Sequence, residues 1–114
     1  MNICYHNPKC SKSRAGLEII QEKNYPCEVK EYINEGLSSD EVQIITQFLK
    51  ISAQDIIRKK EELYKEQDID ESSMSEQEWI QLLVDHPKLL ERPIVVNGNK
   101  AVIGRPPENV LTLL

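Results

Sequence analysis

The chain has 114 residues, enough for one compact domain and too few for two independently cored ones. Apolar residues make up 39% and charged residues 29%, which suits a soluble globular protein and excludes a disordered or fibrous one. Nineteen acidic against fourteen basic side chains leave a net charge of −5, which repels a nucleic-acid backbone, so no nucleic acid is expected as a partner.

No apolar run exceeds three residues, so no membrane span is expected. The first ten positions lack the charged-then-apolar layout of a signal peptide, and a cytoplasmic location is the expectation. Three cysteines, Cys4, Cys10 and Cys27, are an odd number, which leaves at least one free thiol. Ten of the basic residues are Lys and only four are Arg: Arg14, Arg58, Arg92 and Arg105.

Residues 2–6 read as a strand ended by Asn7-Pro8. A helix follows from the Ser11–Ser13 region, with Ala15, Leu17 and Ile20 inward and Ile19 as a further candidate, until Asn24-Tyr25-Pro26 stops it. Cys10 therefore sits in a loop at a helix N-terminus. Residues 27–33 alternate at the strand period, with Cys27, Val29, Glu31 and Ile33 on one side and Gly36 closing the segment. Strand, helix, strand suggests a parallel pair.

Ser38 and Glu41 form a predicted capping box ahead of Val42, Ile45 and Leu49. A second helix is expected from Ser52, with Ile56 and Leu63 inward and Arg58 on its edge, and residues 65–73 read as a solvated loop. Ser75 with Glu78 makes another capping box, leading into Trp79, Leu82 and Leu83, with Pro87 near the exit. Residues 93–96 and 100–103 are two strands joined through Asn97-Gly98-Asn99, a strong hairpin signal. Pro106-Pro107-Glu108 starts a closing helix with Val110, Leu111 and Leu114 on its apolar face. The order β-α-β, helices, β-β-α describes an α/β protein, a small mixed sheet with helices packed on it.

Cys10 is the sharpest chemical candidate. A helix N-terminus carries partial positive charge, and Lys9, Lys12 and Arg14 flank it, so thiolate is favoured over thiol. His6, at the end of the preceding strand, is placed to tune it. The plainer alternative is a small half-buried residue without chemistry. Position 13 is Ser, so this is not a Cys-x-x-Cys redox pair, and Gly16 stands where a Cys-x5-Arg phosphate loop would need Arg. There is no Gly-x-Gly-x-x-Gly or Walker sequence.

Arg58, Arg92 and Arg105 each lie beside a structural junction. Converging, they would bind a multiply charged oxyanion through paired donors; the alternative is surface salt bridges, each worth about 0–1 kcal/mol. Arg92-Pro93 at a strand start is a candidate for a cis peptide bond. Cys4, His6 and Cys10 lack zinc-site spacing, so no metal is expected, and Cys4 and Cys27 read as core residues.

The segment Tyr5-His6-Asn7-Pro8-Lys9-Cys10-Ser11-Lys12-Ser13-Arg14 resembles the glutaredoxin-dependent arsenate reductases. So do Ile57-Arg58-Lys59-Lys60, His86-Pro87, Arg92-Pro93-Ile94-Val95-Val96 and Arg105-Pro106. The likeness spans nearly the whole chain, and all four Arg fall on motif positions. It implies a thioredoxin-like mixed sheet in one domain over residues 1–114, with an inserted helical region at about 38–90. It implies that Cys10 attacks arsenate to form a thiol–arsenate adduct, with glutathione as co-substrate, glutaredoxin as partner and no bound cofactor. By motif, Arg58, Arg92 and Arg105 hold the oxyanion, His6 keeps Cys10 ionised, Ser13 and Arg14 support the loop, and Pro93 is a cis proline beside the site.

The chain ends at Leu114, just after the closing helix, where members of that family often continue. The same superfamily includes Spx-type regulators, which bind RNA polymerase. Ser13 and Arg105 weigh against that reading, and a thiol oxidoreductase acting on glutathione mixed disulfides is the third. A monomer is expected, since the polar surface requires no partner copy.

Overall fold

The computed structural model describes residues 2–113. The chain divides into two compact units, one formed by the residues up to Glu35 together with those from Arg92 onward, the other by Gly36–Glu91.

The first unit is built on a four-stranded sheet in the order β2-β1-β3-β4. Strand β1 (Asn2–Tyr5) pairs in parallel with β2 (Glu28–Lys30) and antiparallel with β3 (Ile94–Asn97), which pairs antiparallel with β4 (Lys100–Ile103). Helix α1 (Ser11–Glu22) makes the crossover from β1 to β2, as a parallel pair requires. Cys4 lies opposite Val95, and Val95 opposite Val102, so the three share one face. On it Cys4, Val95, Ile20 and Val110 form the core, with Leu17, Ile19, Tyr25, Cys27, Val102 and Leu113 packed around them. The hairpin turn is Gly98-Asn99, with Asn97 and Lys100 paired and Gly98 at φ +61, a left-handed backbone that glycine adopts without steric cost.

Three expectations for this unit need correction. The strand expected over 27–33 ends at Lys30. Beyond it the Glu31 carbonyl accepts from the N–H groups of Asn34 and Glu35, both at 3.0 Å, and the Glu35 carboxylate accepts from Glu31 N–H at 2.9 Å. These bonds close a short helix α2 (Tyr32–Glu35), which turns Tyr32 into the interior and leaves Ile33 40% exposed. Val29 pairs with Cys4 and so lies on the core face with Cys27, but its place on the edge strand leaves it 39% exposed. The closing helix is a 3-10 helix over Pro107–Leu113; with three residues per turn Val110 points in, whereas Leu111 is 44% exposed. Leu114 lies outside the described residues. Within α1, Ser13, Gly16 and Ile20 are the buried positions, and Ala15 is only half-buried.

In the second unit both predicted capping boxes are present: Ser38 with Glu41 opens α3 (Ser39–Leu49), and Ser75 with Glu78 opens α5 (Glu76–Asp85). Val42 and Ile45 of α3 and Trp79, Ile80 and Leu83 of α5 are buried; Ile80 replaces the expected Leu82, which is half-buried. The helix expected from Ser52 is instead a single 3-10 turn, Ala53–Ile56, itself closed by a Ser52–Asp55 capping box. It stops because its outgoing backbone groups are taken elsewhere. Ile56 O accepts from Glu91 N–H and Arg58 N–H donates to Leu89 O, both at 2.8 Å, around an antiparallel bridge between Ile57 and Leu90. Arg58 thus sits on a loop, not a helix edge. A short helix α4 (Glu62–Glu66) follows, burying Tyr64 and leaving Leu63 half-buried. The expected loop 65–73 begins inside α4 and holds a 3-10 turn at Glu71–Ser73.

Pro93, fully buried in the first unit, is wedged between two glycines. A Cβ on Gly16 of α1 would stand 2.8 Å from Pro93 Cγ; one on Gly104, just after β4, would stand 2.7 Å from the same atom and 3.0 Å from Val110 Cγ1. A pyrrolidine ring cannot swing aside as a flexible side chain can. Gly104→Ala is expected to destabilise the protein by about 1–3 kcal/mol through overpacking, read as a lower urea midpoint at unchanged m-value. An unaltered midpoint would show that the wedge has slack.

Candidate functional site

Cys10 is the N-cap residue of α1, with φ −102 and ψ 124. Its carbonyl accepts the first helical bond, from Arg14 N–H at 3.0 Å, and its side chain makes no capping hydrogen bond to the helix. The first turn carries no acidic residue. The positive end of the helix is thus uncompensated by carboxylates and available to a thiolate.

The loop before Cys10 is knitted by its own polar groups. Cys10 N–H donates to Asn7 O at 3.0 Å, Lys9 N–H to Asn7 Oδ1 at 3.0 Å, and Arg14 Nη1 to Pro8 O at 2.9 Å. Ser13 Oγ, fully buried, accepts from Asn7 N–H at 2.9 Å and lies 2.7 Å from His6 Nδ1. Ser13 and Arg14 therefore hold the backbone on either side of the thiol. Asn7 does the same and was not singled out in the sequence, although Asn before Pro is a recurrent turn former.

Burial of Cys10 works against its ionisation, but the Ser13 backbone N–H, the Arg92 side chain through hydrogen bond and charge, and the Lys12 backbone N–H outweigh it. The thiol is held below its ordinary value of 9.0. The other two cysteines go the opposite way. Burial, with a smaller push from Cys27, raises Cys4 to about 12; burial and then Glu28 raise Cys27. All three are free thiols. His6 is buried, and that burial lowers its pKa below 6.5 despite Glu31 and the Ser13 backbone, with Arg14 adding to the fall. A neutral ring at pH 7 bonded to Ser13 acts on the loop's shape rather than as a cation beside the thiol.

Arg92 immediately precedes the buried Pro93, across a cis peptide bond, and is itself only 8% exposed. Its Nε and Nη1 are buried and meet no hydrogen-bond partner among the described residues. A buried guanidinium next to the Cys10 thiol, with two donors still to be satisfied, is suited to an anion, because unpaired buried charged donors are costly. Arg105 follows β4, exposed, its carbonyl accepting from Asn109 Nδ2 at 3.2 Å. Arg58 belongs to the other unit, where its Nη1 lies 2.6 Å from Glu61 Oε1, a close ionic contact outside hydrogen-bond angles.

The first unit therefore gathers Cys10, His6, Ser13, Arg14, Arg92 and Pro93. Its charge differs from the whole: eight basic against six acidic residues give +2, whereas residues 36–91 carry six against thirteen, −7. Among the described residues no group of three or more His, Cys, Asp or Glu is arranged to hold a metal ion, and no helix is long and apolar enough to cross a membrane.

Comparison with known proteins places these features in a family. The ArsC family model matches residues 5–113. Arsenate reductase of Haemophilus influenzae is 42% identical over 113 residues, covering 98% of this chain and 97% of its own. The uncharacterized protein YfgD of Escherichia coli K12 is 46% identical over 111 residues, covering 96% of this chain and 93% of its own. Among solved structures, arsenate reductase from Vibrio cholerae superposes with a TM-score of 0.94 at 40% identity, over 99% of this chain and 97% of that one. The mixed sheet with its helices is the thioredoxin-like fold that the motifs implied. With a cysteine at a helix N-cap position, a buried arginine beside it and matches over almost its full length, the chain belongs to the ArsC family.

Proposed function

We propose that this protein is an arsenate reductase that uses Cys10 as its nucleophile. The observation that carries the reading is the pairing of Cys10, its thiol held below the ordinary value, with a buried Arg92 whose Nε and Nη1 have no partner among the described residues. Thiolate and arsenate are both anions, and bringing them together in a pocket of low dielectric costs several kcal/mol unless cations offset it. Arg92 supplies that offset as a planar fork, which Lys could not match.

In the proposed reaction the Cys10 sulfur attacks As(V), an As–S bond forms, and one arsenate oxygen leaves as water after protonation. Glutathione resolves the adduct and glutaredoxin removes the glutathione. Arsenic gains two electrons and leaves as arsenite; the thiols of glutathione and glutaredoxin lose them and leave joined as a mixed disulfide. Cys10 returns as a thiolate. Arg105, in the same unit, adds to the oxyanion's donors in this reading, and no cofactor stays bound. The direct test is arsenate-dependent NADPH consumption in a system containing glutathione, glutaredoxin and glutathione reductase. The expected result is turnover that requires both glutathione and glutaredoxin; turnover that persists without either would remove them from the reaction.

A further inference from the structure

The chain carries nineteen acidic residues, yet none precedes Glu18. Within that stretch Lys9, Lys12 and Arg14 flank Cys10; all three are exposed, whereas the thiol is half-buried. Arg14 is already engaged, its Nη1 donating to Pro8 O at 2.9 Å. Lys9 and Lys12 are not. The Lys9 backbone is fixed by its N–H bond to Asn7 Oδ1 at 3.0 Å, and Lys12 stands in the first turn of α1. Neither ammonium group has an ion-pair partner among the described residues.

The ionisation of Cys10 does not account for these two cations. It draws on the Ser13 backbone, on Arg92 and on the backbone N–H of Lys12, and on neither ammonium group. Arg92, 8% exposed with Nε and Nη1 unpartnered, suits the buried side of the sulfur to an oxyanion. The lysines are on the solvent side and meet whatever arrives from solvent.

The thiol that resolves the adduct must arrive that way. Glutathione carries a carboxylate on each side of its cysteine, one γ-glutamyl and one glycyl, and Cys10 has an ammonium-bearing residue on each side in the chain. Without cations, the approach of an anionic thiol to an anionic adduct is opposed by like charge. An acidic protein surface fits less well: a specific protein interface takes about 20–30 residues a side, whereas Lys9 to Lys12 span four positions.

We infer that Lys9 and Lys12 form a carboxylate-binding rim beside Cys10 that selects glutathione over an uncharged thiol. This rests on the proposed reaction, in which glutathione resolves the Cys10 adduct.

Lys9→Gln/Lys12→Gln tests it, at two exposed positions where the core is untouched. In the coupled assay the glutathione KM is expected to rise about three- to tenfold, the size of one or two exposed ion pairs. Glutathione ethyl ester, whose glycyl carboxylate is blocked, should show a raised KM with the parent and a smaller further rise with the variant. An unchanged glutathione KM, or a rise confined to the glutaredoxin KM, would overturn the assignment.

A second arm needs no arsenate. The Cys10 thiolate attacks one sulfur of glutathione disulfide; a Cys10–glutathione disulfide forms, the original S–S bond breaks, and the second glutathione leaves as thiolate. Measured by peptide mass against exchange with the uncharged 2-hydroxyethyl disulfide, the relative rate should fall about three- to tenfold in the variant. Raised salt should bring the parent toward the variant's ratio. An equal ratio in parent and variant would overturn the rim. Absence of arsenate turnover in the parent would overturn the reading of the reaction, while the exchange rates still decide the role of the lysines.

Discussion

Cys10→Ser is expected to abolish arsenate turnover, with the rate falling about 10⁴-fold or more, as removal of a reacting nucleophile does in other enzymes. The substitution replaces sulfur by oxygen at a half-buried N-cap whose side chain caps nothing, so the fold has no reason to change. Ser is itself a favoured N-cap residue. The loss would therefore be chemical: a hydroxyl at neutral pH is not ionised by the contacts that suffice for a thiol. Neither remaining cysteine is placed to substitute, since Cys4 is buried in the core and pushed to about 12, and Cys27 is raised as well. The check pairs the coupled assay with circular dichroism. Turnover surviving in a folded Ser variant would remove Cys10 from the reaction.

Arg92→Ala should produce two effects that separate its roles. Its guanidinium helps hold the Cys10 thiol below its ordinary value, so its loss moves the thiol upward. Alkylation by iodoacetamide, which needs thiolate, therefore becomes slower at neutral pH and approaches the parent rate as the pH is raised until both thiols are ionised. Independently, the oxyanion loses its buried fork, and kcat/KM for arsenate should fall about 10²–10³-fold, as when a preorganised donor is removed. Arg92→Lys keeps the charge without the fork, so it should recover more of the thiol's ionisation than of turnover. If alkylation rate against pH were superimposable on the parent, the thiolate would owe its stability to the helix N-terminus alone.

The parts of the fold visible in the amino acids were those governed by local rules. Ser38 with Glu41 and Ser75 with Glu78 open the helices they predict, and the hairpin turns within Asn97-Gly98-Asn99, at Gly98-Asn99. The misread segments were decided by distant backbone partners. Residues 27–33 alternate like a strand, yet the Glu31 carbonyl and Glu35 carboxylate close a turn there. The helix read from Ser52 ends after one turn because Leu89 and Glu91 take its backbone bonds, which no local pattern encodes.

At the site, Cys10 could be read from a Cys in a loop before an amphipathic helix, with cations around it. The burial of Arg92 beside the thiol could not, because Cys10 and Arg92 are some 80 positions apart in the chain. Gly16 inside a helix is the local trace of that packing, since glycine there costs about 1 kcal/mol relative to alanine and marks a close approach, here to Pro93. Nor does the sequence show the contact of His6 with Ser13, 2.7 Å from its Nδ1, through which the ring reaches the loop that carries Cys10.

The Pro93 wedge has a mechanical consequence. Pro93 is bonded to Arg92, and Gly16 lies six residues along the helix that Cys10 caps, so the contact between ring and glycine sets the separation of sulfur and guanidinium. The two backbones are held by covalent geometry and van der Waals contact, in addition to the hydrogen bond and charge between the side chains. Their spacing is then a constant of the scaffold, in place before an anion arrives, and little rearrangement energy is drawn from binding. A methyl group added at Gly16 would act as a shim, moving the thiol's ionisation and the melting temperature together although it touches neither charge.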